Sequence, residues 1–236
     1  MLAGRRIAVT GTSRGLGAAL ARGFANAGAR VLVHARTDEG ACVSAHASGA
    51  AAFCAGELAD PTLAGRLAKV AQEALGGLDV LVLNAGVLGP MQALADTDFA
   101  AFREVMALNV EAQLRLFVAA LPLLTASRGA VLWMSSGLGR FAAPGYGAYC
   151  ASKHALEGLA KLAAIEHAGQ LTSIAIAPGM VQTDMLARAL GAGSSHGGTA
   201  DLTPYAHPDD TAGRFVRLVA TLGPELNGAS LDIGDR

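Results

Sequence analysis

Residues 6–17 read RIAVTGTSRGLG, and their order decides the architecture. The first five are apolar and rich in β-branched side chains, the composition of a strand buried on both faces. Gly11, Gly15 and Gly17 follow at once, and an Ala- and Leu-rich helical stretch then runs to Ala27 and stops at Gly28. A glycine turn between strand and helix allows a tight bend and the close approach of an anion, a pyrophosphate above all, to the helix N-terminus. A purely structural turn would look the same, so the pattern needs companions.

Working outward, strands are expected at 29–35, 50–54, 78–83, 130–134, 173–177 and 229–233. Helices are expected between them, at 39–47, 60–75, 98–124, 149–168 and 209–222, the second of these opened by Asp60 as N-cap with Pro61 in the first helical position. This rhythm predicts an α/β fold, a single doubly wound parallel β-sheet of about seven strands with helices on both faces. Ligands of such sheets bind beyond the carboxyl ends of the strands, at the switch point. Residues 178–208 form a long Gly/Ser-rich stretch without clear periodicity, expected to be a substrate lid within the same domain. Neither a repeat nor an interdomain linker interrupts the chain.

The bulk numbers agree with one large domain. The chain has 236 residues, 52% of them apolar, and a mean hydropathy of +0.40, enough for a sizeable core. Net charge is −1 with Lys and Arg scattered, which argues against a nucleic-acid groove or an anionic membrane surface. Cys42, Cys54 and Cys150 have no metal-site or disulfide spacing and read as reduced thiols of a cytoplasmic protein. The first strand begins by Arg6, too early for a signal peptide, and Pro122 and Arg115 break the longest apolar run.

Chemistry concentrates in the stretch SGLGRFAAPGYGAYCASK, residues 136–153. Tyr149 and Lys153 stand four apart, so on a helix they share a face. An ammonium beside a phenol favours the phenolate; moving a tyrosine from about 10 towards about 7 takes roughly 4 kcal/mol. Ser136 lies thirteen positions before the tyrosine. Cofactor choice is read at the end of the second strand, where an acid would bind a ribose hydroxyl and an arginine would accept a phosphate. Arg36 stands there, with Arg14 in the glycine turn, so NADP(H) is favoured and NAD(H) is the alternative.

Thr10-Gly11-x-x-x-Gly15-x-Gly17, Asn84-Ala85-Gly86, Asn109, Ser136, Tyr149-x-x-x-Lys153 and Pro178-Gly179-x-Val181-x-Thr183 together resemble the short-chain dehydrogenase/reductase family, classical type, with its Rossmann-like fold. The match runs in order through nearly the whole chain, to Asn227-Gly228 before the last strand. The resemblance implies that Tyr149 exchanges a proton with the substrate oxygen, that Lys153 lowers its pKa and holds the nicotinamide ribose, and that Ser136 polarises the carbonyl. It implies that Asn109 supports a water-linked relay to Lys153. It further assigns Gly11, Ser13, Arg14, Gly15, Leu16, Gly17, Arg36, Asn84, Ala85, Gly86, Pro178, Gly179, Val181 and Thr183 to the dinucleotide. Glu57 and Leu58 align with the usual Asp-hydrophobic pair at the adenine, Leu83 replaces a frequent second Asn, and the C-terminus lacks the common paired glycines.

Other residues take plainer roles. Trp133 reads as core, Cys150 as helix packing, His154 as facing away from the site and His196 as solvated. Leu138, Tyr146 and Met180, with the lid, are expected to line the substrate pocket beside Ser136 and Tyr149. The expected activity is hydride transfer between a nicotinamide and a carbonyl or secondary alcohol, as an NADPH-dependent carbonyl reductase of ketone or 3-oxoacyl type. An NAD-dependent alcohol dehydrogenase is the alternative, and a non-catalytic nucleotide-sensing regulator is the third reading. A sugar-nucleotide epimerase is disfavoured because only 53 residues follow Thr183, too few for its extra domain. The resemblance also implies a homo-oligomer, a dimer or tetramer, with Ala112, Ala119, Ala120, Ala155, Gly158 and Ala160 allowing close helix packing between subunits.

Overall fold

The structure, a computed structural model, describes residues 1–191 and 200–233. Seven strands, β1 (Arg6–Thr10), β2 (Arg30–Ala35), β3 (Ala52–Ala55), β4 (Val80–Leu83), β5 (Ala130–Met134), β6 (Thr172–Ala177) and β7 (Ser230–Asp232), form one sheet in the order β3-β2-β1-β4-β5-β6-β7. Every pairing is parallel, with Val9 opposite Val33 and Leu83 opposite Trp133. The chain reverses its direction of travel across the sheet between β1 and β4, which makes their carboxyl ends the switch point.

Helices cover both faces, which is why β1, β4 and β5 are apolar without alternation. On one side lie α1 (Gly15–Asn26) and α7 (Pro208–Ala220), with Phe24 and Phe215 fully buried against Ile7, Val31 and Ile174. On the other lie α3 (Leu63–Val70, continued by a π turn at Ala71–Leu75), α4 (Phe99–Ser127) and α5 (Gly147–Glu166). Trp133 is the largest side chain of that core and stacks at a tilt on Phe117, ring centres 5.3 Å apart. By length and composition α4 could cross a bilayer, but its Leu116, Phe117, Ala120 and Leu124 are buried against the sheet.

Four boundaries differ from the sequence expectation for identifiable reasons. Helix α2 (Asp38–Ser48) runs one residue further and closes with Gly49 at φ 68°, so β3 starts at Ala52 instead of residue 50. Asp60 does not cap α3; its carboxylate binds the Thr62 amide and hydroxyl, forming a local turn that delays the helix to Leu63. Pro122 does not stop α4, which continues to Ser127 before Arg128 turns left-handed at φ 49°. The expected lid contains a helix, α6 (Asp184–Gly191), started by Thr183, whose hydroxyl accepts the Leu186 amide at 3.3 Å. Much of the remaining lid, with His196, and the last three residues of the chain lie outside the described residues.

Candidate active site

The glycine turn is shaped by close approach. Gly11 and Gly15 have φ of 71° and 58°, a region that favours glycine, and a Cβ on Gly17 would lie 2.1 Å from the Gly11 carbonyl oxygen. Thr10 ties this turn to the loop after β4: its hydroxyl accepts the Asn84 and Ala85 amides, both at 3.0 Å. Asn84 returns its Nδ2 to the Thr10 carbonyl at 2.8 Å, and the Gln113 amide, deeper in α4, donates to the Ala85 carbonyl at 2.9 Å. No side chain caps the start of α1, where Arg14 and Ser13 are exposed, Leu16 is buried and Gly15 lies 3.3 Å (at its Cβ position) from the Thr183 methyl. An uncapped helix start behind a cradle that admits no side chain fits a dinucleotide pyrophosphate.

The flanks of that cradle carry the rest of the proposed cofactor set. Arg36 follows β2 and is exposed; Arg14 pairs with Asp184 of α6 at 3.1 Å, both largely in solvent. Glu57 is exposed after β3, while Leu58 packs on the core. After β6, Pro178 is half-buried, Gly179 is exposed at φ 79° and Val181 is buried, with its carbonyl accepting the Thr183 hydroxyl at 3.2 Å.

Beside this cradle lies the second constellation. Ser136, two residues after β5, acts on the Tyr149 phenol so as to favour its ionised form, and its hydroxyl accepts the Leu138 amide at 3.2 Å. Lys153 is buried, donates to the Met134 carbonyl at 2.7 Å, and holds its ammonium 5.5 Å from the centre of the Tyr149 ring. Asn109 sits in a π turn of α4, Ala107–Glu111, a widening that frequently marks functional sites. Its amide oxygen accepts from Val87 at 2.8 Å, and its nitrogen donates to the Val87 carbonyl at 2.8 Å and to the Ser152 hydroxyl at 3.0 Å. Gly86 lies between Asn109 and Lys153: a Cβ there would be 3.1 Å from Asn109 Oδ1 and 3.9 Å from Lys153 Nζ.

Burial raises the Tyr149 phenol to about 12, outweighing the opposing influence of Ser136, and Lys153 is not among the causes of that shift. Burial also lowers Lys153 to about 8. At neutral pH the pair is a protonated phenol beside an ammonium, a proton donor poised at the cleft.

Of the residues expected to line the substrate pocket, Leu138 is half-buried, Met180 is exposed, and the Tyr146 hydroxyl donates to the Ala189 carbonyl of α6 at 3.3 Å. Cys150 is buried away from solvent, and His154 donates from Nδ1 to the Cys150 carbonyl at 2.9 Å on an exposed face. Sequence reasoning passed over Gln113, Ser152 and Asp184, polar residues whose partners are distant along the chain. It also passed over His34, which has no spacing signal at all.

Comparison with known proteins adds the following. A family model described as short chain dehydrogenase matches residues 5–191. An uncharacterised oxidoreductase of Mycobacterium tuberculosis is 35% identical over 234 residues, spanning 95% of this chain and 89% of that protein. An NADPH-dependent pterin aldehyde reductase of Arabidopsis thaliana is 30% identical over 237 residues, spanning 99% of this chain and 95% of the relative. A solved short chain dehydrogenase of Shigella flexneri, complexed with NADP, superposes with a TM-score of 0.84 at 29% identity, covering 97% of this chain and 96% of that one.

Proposed function

The chain belongs to the short-chain dehydrogenase/reductase family of oxidoreductases, and from that premise we propose that it is an NADPH-dependent carbonyl reductase. The observation that carries the proposal is Ser136 acting on the Tyr149 phenol with Lys153 buried beside it, all next to an uncapped glycine turn that leaves no room for a side chain at Gly11 or Gly17. A bound nicotinamide dinucleotide supplies the hydride. Tyr149, held protonated, donates its proton to the substrate oxygen as that oxygen gains charge. Ser136 donates a hydrogen bond to the same oxygen, a contribution that grows towards the transition state. Lys153 orients the ribose, and Asn109, anchored by Val87, supports a water-linked proton relay with Lys153.

The direct test is to mix the purified protein with NADPH and a panel of ketones, aldehydes and 3-oxoacyl thioesters and to follow cofactor absorbance. Consumption of NADPH dependent on a carbonyl compound is expected. Cofactor binding with no turnover across the panel would favour the nucleotide-sensing regulator. Arg14 and Arg36 support NADP(H) over NAD(H), since two guanidiniums complement a phosphate dianion. The Arg14→Ala/Arg36→Ala double variant is expected to weaken NADPH binding about tenfold or more with NADH binding little changed; equal weakening of both would remove the phosphate assignment. The NADPH-dependent plant relative and the NADP-complexed neighbour support the same choice.

The proposed assembly is a dimer or tetramer through α4 and α5. Ala112, Ala120 and Ala160 are buried in their own subunit and so do not form the contact. Ala119 and Ala155 are half-buried and Gly158 exposed, and beyond them Leu114, Val118, Leu162 and Ile165 are turned to solvent. Light scattering is expected to return a multiple of the 23.7 kDa chain, and Val118→Lys/Ile165→Lys is expected to reduce it to one.

A further inference from the structure

His34, the fifth residue of β2, is 1% exposed and plays no part in the chemistry above. Its Nε2 lies 2.9 Å from the Gly56 carbonyl oxygen. A carbonyl oxygen only accepts, so Nε2 carries the proton and Nδ1 keeps its lone pair. Nδ1 accepts the amide of Gly11 at 3.4 Å. The ring therefore spans two walls of the dinucleotide cleft, the first glycine of the turn after β1 and the loop after β3 that leads into Glu57 and Leu58. Its own carbonyl accepts both the amide and the hydroxyl of Thr12, at 2.9 and 3.1 Å, and Ser44 of α2 binds that hydroxyl at 2.7 Å.

We propose that neutral His34 is a positioning residue for dinucleotide binding, holding the glycine turn and the loop after β3 at their working separation, and that its protonation releases the turn. The proposal rests on the dinucleotide reading of this cleft. A protonated imidazole has two N–H groups and no lone pair, so the Gly11 amide would face a donor where it now has an acceptor. Around the ring, Arg66 of α3 opposes protonation and Glu57 favours it. Cys54, its partner in register on β3, is a thiol that burial keeps neutral. Burial outweighs Glu57 and the Gly56 carbonyl and holds His34 below its ordinary pKa, so the release belongs below the usual imidazole range.

The test uses NADH, which has no 2′-phosphate of its own to titrate near about pH 6. NADH affinity is measured by fluorescence from about pH 7.5 to about pH 5, and the Gly11 amide is followed over the same range by nitrogen-15 NMR on the cofactor-free protein. In the wild type, affinity is expected to fall about fivefold or more on acidification, in step with the Gly11 amide. His34→Asn keeps an acceptor for Gly11 that does not titrate, so its affinity should stay flat with pH; His34→Phe should bind weakly throughout. A Gly11 amide that does not respond, or an equal acid loss in His34→Asn, would overturn the proposal. A responsive amide in a protein that binds no dinucleotide at any pH would overturn the dinucleotide reading and the positioning role with it.

Discussion

Tyr149→Phe is expected to lower kcat for carbonyl reduction by about 10²- to 10⁴-fold, the usual contribution of a positioned general acid, with NADPH affinity within about twofold of wild type. The substitution removes one oxygen from a partly buried ring and leaves its packing intact. Ser136 would lose its phenol partner but keep the contact with the Leu138 amide that starts the turn at Gly137–Gly139. The glycine turn and its ties to Asn84 and Ala85 are independent of this ring. Steady-state kinetics and a fluorescence titration check both halves. Turnover near wild type would show that another group delivers the proton.

Lys153→Met is expected to be inactive and more stable. Burial lowers the lysine from 10.5 to about 8, so below about pH 8 the folded protein holds a charge that costs more than it would in the unfolded chain. The penalty is about 3 kcal/mol at neutral pH. Between about 8 and 10.5 the unfolded chain retains a proton that the folded chain has shed, so wild-type stability should rise with pH across that window. Methionine fills similar space without the charge but leaves the Met134 carbonyl unpaired, a loss of about 1 kcal/mol. A net gain of about 2 kcal/mol at pH 7, and no rise between pH 8 and 10.5 attributable to this position, is expected from denaturant titrations. A variant less stable than wild type at pH 7 would show that Lys153 serves the fold as well as the site. The stability sacrificed at Lys153 is consistent with its retention for chemistry.

The two predictions separate what proximity along the chain reveals from what it hides. The Tyr149/Lys153 pair was legible because a helix places positions four apart on one face, and α5 does so. The sign of the tyrosine's shift was not legible. It depends on how far two groups are removed from water, and that is decided by the sheet, α4 and the turn at residues 137–139 closing around them. The same division holds in the fold. β-Branched runs and glycine breaks located all seven strands, since those signals act within a few residues. The one-residue extension of α2, the late start of α3 and the hidden helix α6 each turned on a cap or a side-chain turn that competes locally with the pattern.

By itself the sequence determined the architecture, the family and the pairing of Tyr149 with Lys153 on one helix face, because hydrophobic period, turn chemistry and motif order are properties of neighbouring positions. Only the tertiary structure decided the state of those residues. It brought Gly11 against Ala85 and Gly15 against Thr183, and seated His34 between Gly11 and Gly56. It also took Lys153 and the Tyr149 phenol far enough from water to leave the one less basic and the other slower to give up its proton. Desolvation and long-range hydrogen bonds are collective effects of the packed whole, so no local stretch of sequence carries their sign.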